Sequence, residues 1–441
     1  MASSRVRHTW LGSDRRLART VARPITRFLH VEAASGVLLL AAAVVALVWV
    51  NSPWSASYHD LWTTDVTLTV GRHTLDADLR HWVNDGLMAL FFFVLGLEIK
   101  QELVSGQLAS VRAAAVPALG ALGGMVVPAA IYLAVNHGGP GADGWGIPIA
   151  TDVAFSLGVL ALLGSRAPAG LKVLLLGLAI VDDIGAIVVI AVFYAAHLAL
   201  GWLALGAAGL AVVAVLRRLR VWYLPVYAAL GVGIWWCTWE SGVHATIAGV
   251  ALGLLTPARP LMDDVDADRI AAELSPDTDV DAAEVRDISF RLRESVPVAE
   301  RLADVLHPWT SYVIVPLFAL ANAGVELSRH RLADAATSRI TIGVVVGLVV
   351  GKLVGVAAAI GVGTRAGPGE VPEGVTGRHV VGMAALAGIG FTVSLFVAAL
   401  AFEDDPARLD QAKLGVLAAS VTAAAVGAAI LRSAPPAGDE P

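Results

Sequence analysis

Cysteine is almost absent from the chain: Cys237 is the only one in 441 residues, which excludes an internal disulfide and leaves no basis for a cysteine-built metal or redox centre. Charge is also scarce. Asp, Glu, Lys and Arg make up 15% of the residues, well below the share of a soluble globular domain, whereas apolar residues reach 57%. Only one long polar segment interrupts the apolar sequence, at 257–304. No nucleic-acid partner and no resident cofactor are expected from such a chain. What it has instead is hydrophobicity in blocks of about 17 to 25 residues, the length a helix needs to cross about 30 Å of hydrocarbon. The expected partner is a lipid bilayer, and the expected fold class is an all-α membrane protein, since in lipid every backbone polar group must be satisfied internally.

The blocks fall at 34–51, 84–103, 113–135, 147–163, 171–194, 198–216, 221–238, 242–257, 306–325, 340–363, 379–401 and 412–431, which makes about twelve transmembrane helices. An even number puts both termini on one side, and Lys and Arg indicate which, because cytoplasmic loops collect positive charge. With the N-terminus inside, 23 of the 31 basic residues lie in cytoplasmic segments, seven lie outside, and Lys352 falls within a span. The cluster from Arg329 to Arg339 runs against this bias without reversing it. Arg15 and Arg16 faintly resemble a twin-arginine export signal, but a full-length span without a clear cleavage site follows, so 34–51 is read as a retained helix. The organisation is then a basic cytoplasmic segment (1–33), spans one to eight (34–257), a polar cytoplasmic connector (258–305), spans nine to twelve (306–432) and a polar tail (433–441).

Between the first two spans, 64–76 alternates Val66, Leu68 and Val70 with Thr67 and Thr69 and turns at Gly71, as a small extracytoplasmic β-hairpin does. A lone two-stranded ribbon is marginal, so a pairing partner is expected. The connector reads as mostly flexible, with a weakly amphipathic piece near 285–302. Two spans carry breaks. The fourth has Gly146 and Pro148 ahead of Thr151 and Asp152, and the eleventh has Gly388 and Gly390 ahead of Thr392. Interrupted helices in corresponding positions of two halves point to a transporter's binding site. Spans 3–5 start from the cytoplasm and spans 10–12 from outside, so the two units form an inverted-topology repeat.

Asp152, Asp182, Asp183 and Lys352 all lie within spans. Four such groups left unpaired would cost roughly 10 to 14 kcal/mol, at about 2.5 to 3.5 kcal/mol each on the insertion scale, so they must be paired, protonated or hydrated. Lys352 is the only cation in the middle of a span, and its natural partner is one of the two aspartates of span five. Adjacent helical residues point about 100° apart, so one aspartate can face Lys352 while the other faces a cavity. Two neighbouring carboxylates cannot both ionise without a cation or a proton. Oxygen ligands suit a hard cation, and Asp183, Asp182 and Thr151 offer them, so binding a cation would eject protons. Glu98 and Glu102, one turn apart at the cytoplasmic end of span two, fit either a cation-attracting funnel or ordinary interfacial charge. His244 reads as a packed or hydrogen-bonded histidine, and His307 sits at a span entrance.

At these residues the sequence resembles the bacterial NhaA-type sodium/proton antiporters, from about residue 30 to 432. The resemblance is carried by Asn-Asp-Gly-Leu-Met-Ala-Leu at 84–90, Gly-Leu-Glu-Ile-Lys-Gln-Glu at 96–102, Ala-Thr-Asp-Val-Ala at 150–154 and Val-Asp-Asp-Ile-Gly at 181–185. It continues in Ser-Gly-Val-His-Ala-Thr at 241–246, Pro-Leu-Phe-Ala-Leu-Ala-Asn-Ala-Gly at 316–324, Gly-Lys at 351–352 and Gly-Ile-Gly-Phe-Thr at 388–392. It implies a secondary transporter and not an enzyme, located in the bacterial cytoplasmic membrane and serving sodium and pH homeostasis. Asp182 and Asp183 would hold the transported Na⁺ or Li⁺ or protons, with Thr151 nearby. Asp152 and Lys352 would balance the helix ends where the interrupted spans cross, and Lys352 would compete for the aspartate pair. Exchange of cytoplasmic cation for a larger number of external protons would be electrogenic, and the hairpin would form a homodimer. Gln101, Ala303 and Asp304 depart from the family pattern on the cytoplasmic side, which puts its pH activation in question. The rivals are a sodium-coupled solute symporter of similar fold, for which no large polar cavity is evident, and an intramembrane aspartyl protease. The protease needs aspartates from two helices in other sequence contexts.

Overall fold

The apolar blocks fold as helices in the computed structural model, which describes residues 34–71, 73–195, 198–221, 223–260, 282–366 and 371–435. The basic N-terminal segment, residues 261–281 of the polar connector and the end of the tail lie outside the described residues. In chain order the elements are α1 (Ala34–Val50), α2 (Ser55–Trp62), β1 (Asp65–Val70), β2 (His73–Asp78), α3 (Met88–Val104), α4 (Val111–Val135), α5 (Val153–Leu162), α6 (Ala169–Phe193), α7 (Leu200–Arg218), α8 (Leu224–Glu240) and α9 (Thr246–Leu255). There follow α10 (Ala282–Glu294), α11 (Val298–Trp309), α12 (Val315–Asn322), α13 (Arg329–Thr337), α14 (Arg339–Val346), α15 (Lys352–Ala366), α16 (Gly377–Leu386), α17 (Phe391–Ala401) and α18 (Pro406–Arg432).

Among the described residues, five helical stretches are long and apolar enough to cross a membrane, and bent helix pairs raise the number to as many as eight. The five are α4, α6, α7, α18 and the run from Arg339 to Arg365 that joins α14 to α15. Two of the bent pairs are the interrupted spans, with a 3₁₀ segment (Ala142–Ile149) meeting α5 at 40° and α16 meeting α17 at 42°. The other expected spans are built from shorter pieces: α3 and α8 have 17 residues each and α9 has ten. The ninth begins in α11, eight residues before the expected 306, and passes through a π-helical turn (Thr310–Ile314) into α12. Pro308 and Pro316 explain that turn, because each removes a backbone donor and crowds a preceding carbonyl, which a wider turn accommodates. The piece read as weakly amphipathic at 285–302 divides between α10 and α11.

The hairpin runs two residues further than expected, pairing antiparallel from Asp65–Asp78 to Val70–His73. Gly71 supplies the positive φ of 65° that its turn requires. The Trp82 indole donates to the Val66 carbonyl at 2.9 Å and fixes the ribbon to the helix that follows. Beneath it, His81 meets Glu403 at 3.2 Å, tying the ribbon's base to the loop after α17. The hydrogen bond with Glu403 raises the His81 pKa, and the same bond lowers that of Glu403. The pair therefore stabilises the fold while His81 is charged, fully below the ordinary histidine pKa of about 6.5, and is lost as pH rises through the raised value. In His81→Ala the unfolding midpoint should fall at about pH 5.5 and match the parent at about pH 9; an equal gap at both would dismiss the pair.

Helices α4 and α15 pack closely where small residues allow it. A Cβ on Gly123 would lie 2.2 Å from the Gly355 carbonyl, and one on Gly355 at 2.2 Å from that of Gly123. This contact draws α4 against α15, as small residues do between membrane helices, and so places Lys352. Gly124 sits against the Lys352 side chain, its ideal Cβ position 3.6 Å from Nζ.

Candidate functional site

The two interrupted spans cross at their breaks. At each break the helix exposes backbone donors and acceptors that have no partner within it, and buried ones need partners elsewhere. Asp152 supplies them for both N-termini: its Oδ1 accepts from the Phe155 amide of α5 at 2.9 Å, and its Oδ2 accepts from the Thr392 amide of α17 at 3.0 Å and from the Thr392 hydroxyl at 2.8 Å. The Asp152 amide donates to the Ile389 carbonyl at 2.6 Å, which sews the breaks together. Two serines complete the crossing. Ser156 donates to the Leu386 carbonyl at 3.0 Å and Ser394 to the Ile147 carbonyl at 2.7 Å, each reaching from one broken span to the other. Both follow their helix's N-cap by four residues, so the exchange is reciprocal.

The aspartate pair lies beside this crossing, in the middle of α6. Asp182 and Lys352 are both 0% exposed, and the ammonium donates to Asp182 Oδ2 at 2.5 Å, to the Ile149 carbonyl at 2.6 Å and to the Thr151 hydroxyl at 3.1 Å. Three acceptors match the three donors of an ammonium. Thr151 in turn lies 2.7 Å from Asp182 Oδ2 and 2.9 Å from the Ala387 carbonyl, so it joins the first break to the second. Asp183 is 4% exposed, and among the described residues no hydrogen bond or ion pair reaches it. Its Oδ1 and that of Asp182 are buried without a partner. The structure thus brings Asp182, Lys352 and Thr151 into direct contact, sets Asp183 next to them without a bond, and gives Asp152 to the helix ends.

Such an arrangement holds one matched ion pair and one carboxyl with nothing to neutralise it. A buried carboxylate without a counter-charge is strongly disfavoured, so Asp183 must carry a proton or a cation. On the α3 side, Gln101 has a buried amide nitrogen without a partner. His244 bonds to the Tyr194 carbonyl at 2.8 Å and is therefore tied to the end of α6. Thr392 was named with its break by the sequence, whereas Ser156 and Ser394 were not. The one available signal is a serine four residues past each break.

Comparison with known proteins agrees in a single direction. The family model described as Na⁺/H⁺ antiporter 1 matches residues 26–431. The chain is similar to the Na(+)/H(+) antiporter NhaA 2 of Sorangium cellulosum, at 48% identity over 440 residues, covering 97% of this chain and 94% of that protein. It is also similar to the Na(+)/H(+) antiporter NhaA 3 of Frankia alni, at 48% identity over 412 residues, 93% of this chain and 89% of the relative. The NhaA antiporter of Oleidesulfovibrio alaskensis is 45% identical over 422 residues, 93% of both chains. With a family model and relatives that run nearly end to end, the chain belongs to the Na⁺/H⁺ antiporter 1 family.

Proposed function

We propose that the protein is a secondary transporter that exchanges cytoplasmic Na⁺ or Li⁺ for external protons by competition at Asp182 and Asp183. The observation that carries this reading is the bonded pair of Lys352 and Asp182 beside an unbonded Asp183. In the cation-free state Asp183 holds a proton. An entering hard cation takes oxygen from Asp183, Asp182 and the Thr151 hydroxyl, and the Asp183 proton leaves. Because Asp182 then serves the cation, Lys352 loses its anion, and a buried ammonium without a partner gives up its proton. Two groups thereby release protons to one cation. More protons than cations cross per cycle, and the exchange is electrogenic.

The same reading places the chain in the bacterial inner membrane with about twelve spans and both termini in the cytoplasm, where it would serve sodium and pH homeostasis. The break geometry supports a fixed crossing around which the two repeats rock. Purified protein in sealed vesicles tests the activity: an imposed Na⁺ gradient should drive proton movement in the opposite direction without any organic solute. Sodium movement that requires such a solute would instead favour a symporter.

The ribbon of β1 and β2 is proposed as the homodimer contact. Its outer positions Val66 and Leu68 are 39% and 43% exposed, and an exposed strand edge can pair with another copy. Deleting 66–75 should yield a monomer that still exchanges, since each protomer contains a whole site. A deletion protein that stays dimeric in mild detergent would remove the ribbon from the interface.

A further inference from the structure

His81 stands at the base of the ribbon, in a one-turn helix (Leu79–His81) that passes through a π-helical turn (Trp82–Leu87) into α3. Its imidazole lies between two carboxylates. Nε2 meets Glu403 Oε1 at 3.2 Å, and Nδ1 faces Asp78 Oδ1 at 3.6 Å. A carboxylate only accepts and a neutral imidazole has one N–H, so serving both oxygens at once requires the doubly protonated ring. The backbone fixes this position, because Asp78 caps the turn by accepting from the His81 amide at 2.7 Å. The adjacent Trp82 packs against Trp235 and Trp239 of α8, with ring centroids 6.1 and 5.6 Å away, and holds the ribbon through Val66. His81 is thus mounted on the ribbon, span two and α8 together.

Glu403 belongs to a different part of the fold. It lies two residues beyond α17, the outer half of broken span eleven, whose inner end is bound to Asp152 through Thr392. Beneath the pair, α3 and α17 meet through apolar rings, Phe92 against Phe396 at 5.4 Å. Apolar contact is non-directional, so the ion pair adds a directional tie at the outer ends. The other charged groups around it are few. Asp85 stands one turn beyond His81 and favours its charged form, and His244 acts on Glu403 while its own Nε2 is engaged by the Tyr194 carbonyl at 2.8 Å. Past Glu403 comes Asp404, and Asp405 is engaged by Arg408 at 3.2 Å.

The side chains of His81 and Glu403 are 47% and 53% exposed, so both titrate with the solution on the hairpin side. On the topology proposed above, that side is external. The hydrogen bond with Glu403 raises the His81 pKa, so the pair is complete below the ordinary histidine value of about 6.5 and is lost as pH rises through the raised value. Glu403, whose pKa the same bond lowers, stays ionised over that range.

We propose that His81 and Glu403 form a pH-controlled clasp on the external face, which holds the outer end of span eleven against span two while His81 is protonated and frees it when that proton leaves. Its part in transport rests on the antiport reading above. Rocking of the repeats has to part these outer ends in each cycle, so external acid slows exchange and external alkali releases it.

Hydrogen–deuterium exchange of the purified full chain tests the clasp without transport, at about pH 5.5 and about pH 9 with labelling times scaled to the intrinsic amide rates. Amides of 399–405 should exchange about two- to fivefold more slowly at the lower pH, the range within which a half-exposed ion pair moves an equilibrium. The difference should vanish in His81→Gln and in Glu403→Gln, whereas His81→Arg should keep the slow exchange at both pH values. Sealed vesicles of one orientation then test the consequence, with the hairpin side at the lower or the higher pH and the other side fixed. At the lower pH the parent should transport about two- to fivefold more slowly than His81→Gln, and at the higher pH the two should match. No pH difference in the amides of the parent, or one that both Gln variants retain, overturns the proposal. So does parent transport equal to that of His81→Gln at both pH values. No transport by the parent at either pH, beside the expected amide pattern, would sink the antiport reading and leave the clasp standing.

Discussion

Asp183→Asn should abolish Na⁺-driven proton movement in sealed vesicles, down to the level of protein-free vesicles, while leaving a folded membrane protein. The amide keeps the size of the side chain but holds neither an exchangeable proton nor a cation's charge. Because Asp183 makes no bond to any described residue, its replacement removes no observed contact, and the fold should keep its unfolding midpoint. Asp182→Asn should abolish exchange as well, but with a cost to stability, because the Lys352 ammonium loses the oxygen it meets at 2.5 Å. The contrast between the two matters. Loss of transport with unchanged melting marks a group present for exchange, whereas near-normal transport by either folded variant would remove that residue from the mechanism.

Lys352→Ala should lower both stability and exchange. Breaking a buried ion pair by removing one partner typically costs about 3 to 5 kcal/mol, because the remaining charge is left uncompensated. Asp182 can escape part of that cost by taking a proton, which turns the loss into a pH dependence. Combining Lys352→Ala with Asp182→Asn should restore much of the stability without restoring exchange, since no buried charge is then left over. An unfolding midpoint and transport rate equal to the parent's in Lys352→Ala would mean that the ammonium is solvated in the working protein. The Ile149 carbonyl and Thr151 hydroxyl that also receive the ammonium would lose a donor, so the break in span four should loosen in the same variant.

The reasons these residues stood out in the sequence are physical. Charge inside an apolar span is expensive, so Asp152, Asp182, Asp183 and Lys352 announce themselves by cost alone, and a single mid-span cation restricts the pairing to few partners. Sequence reasoning left open which aspartate meets Lys352, because adjacent helical residues differ only in direction; the structure selects Asp182. The breaks were legible from Pro148, Gly388 and Gly390 and from the polar residues beside them. Ser156 and Ser394 were not, for a different reason. A serine or threonine in a helix can satisfy itself on the carbonyl four residues back, so nothing local says that it reaches across to another helix. The same limit hid the π-helical turns at Thr310–Ile314 and Gly347–Gly351, whose wider ladder depends on the neighbouring helix as much as on the local residues. The connector's helix α10 was only partly visible because it begins in a strongly polar context.

The central claim is that protons and sodium compete for one pair of carboxyls, and the pH profile of exchange at several Na⁺ concentrations tests it most directly. If one site holds either ligand, more Na⁺ displaces protons at higher proton concentration, and the activity profile moves to lower pH with each increase in Na⁺. A profile that keeps its position on the pH axis while Na⁺ changes only its height would contradict competition at Asp182 and Asp183 and would require a separate proton sensor.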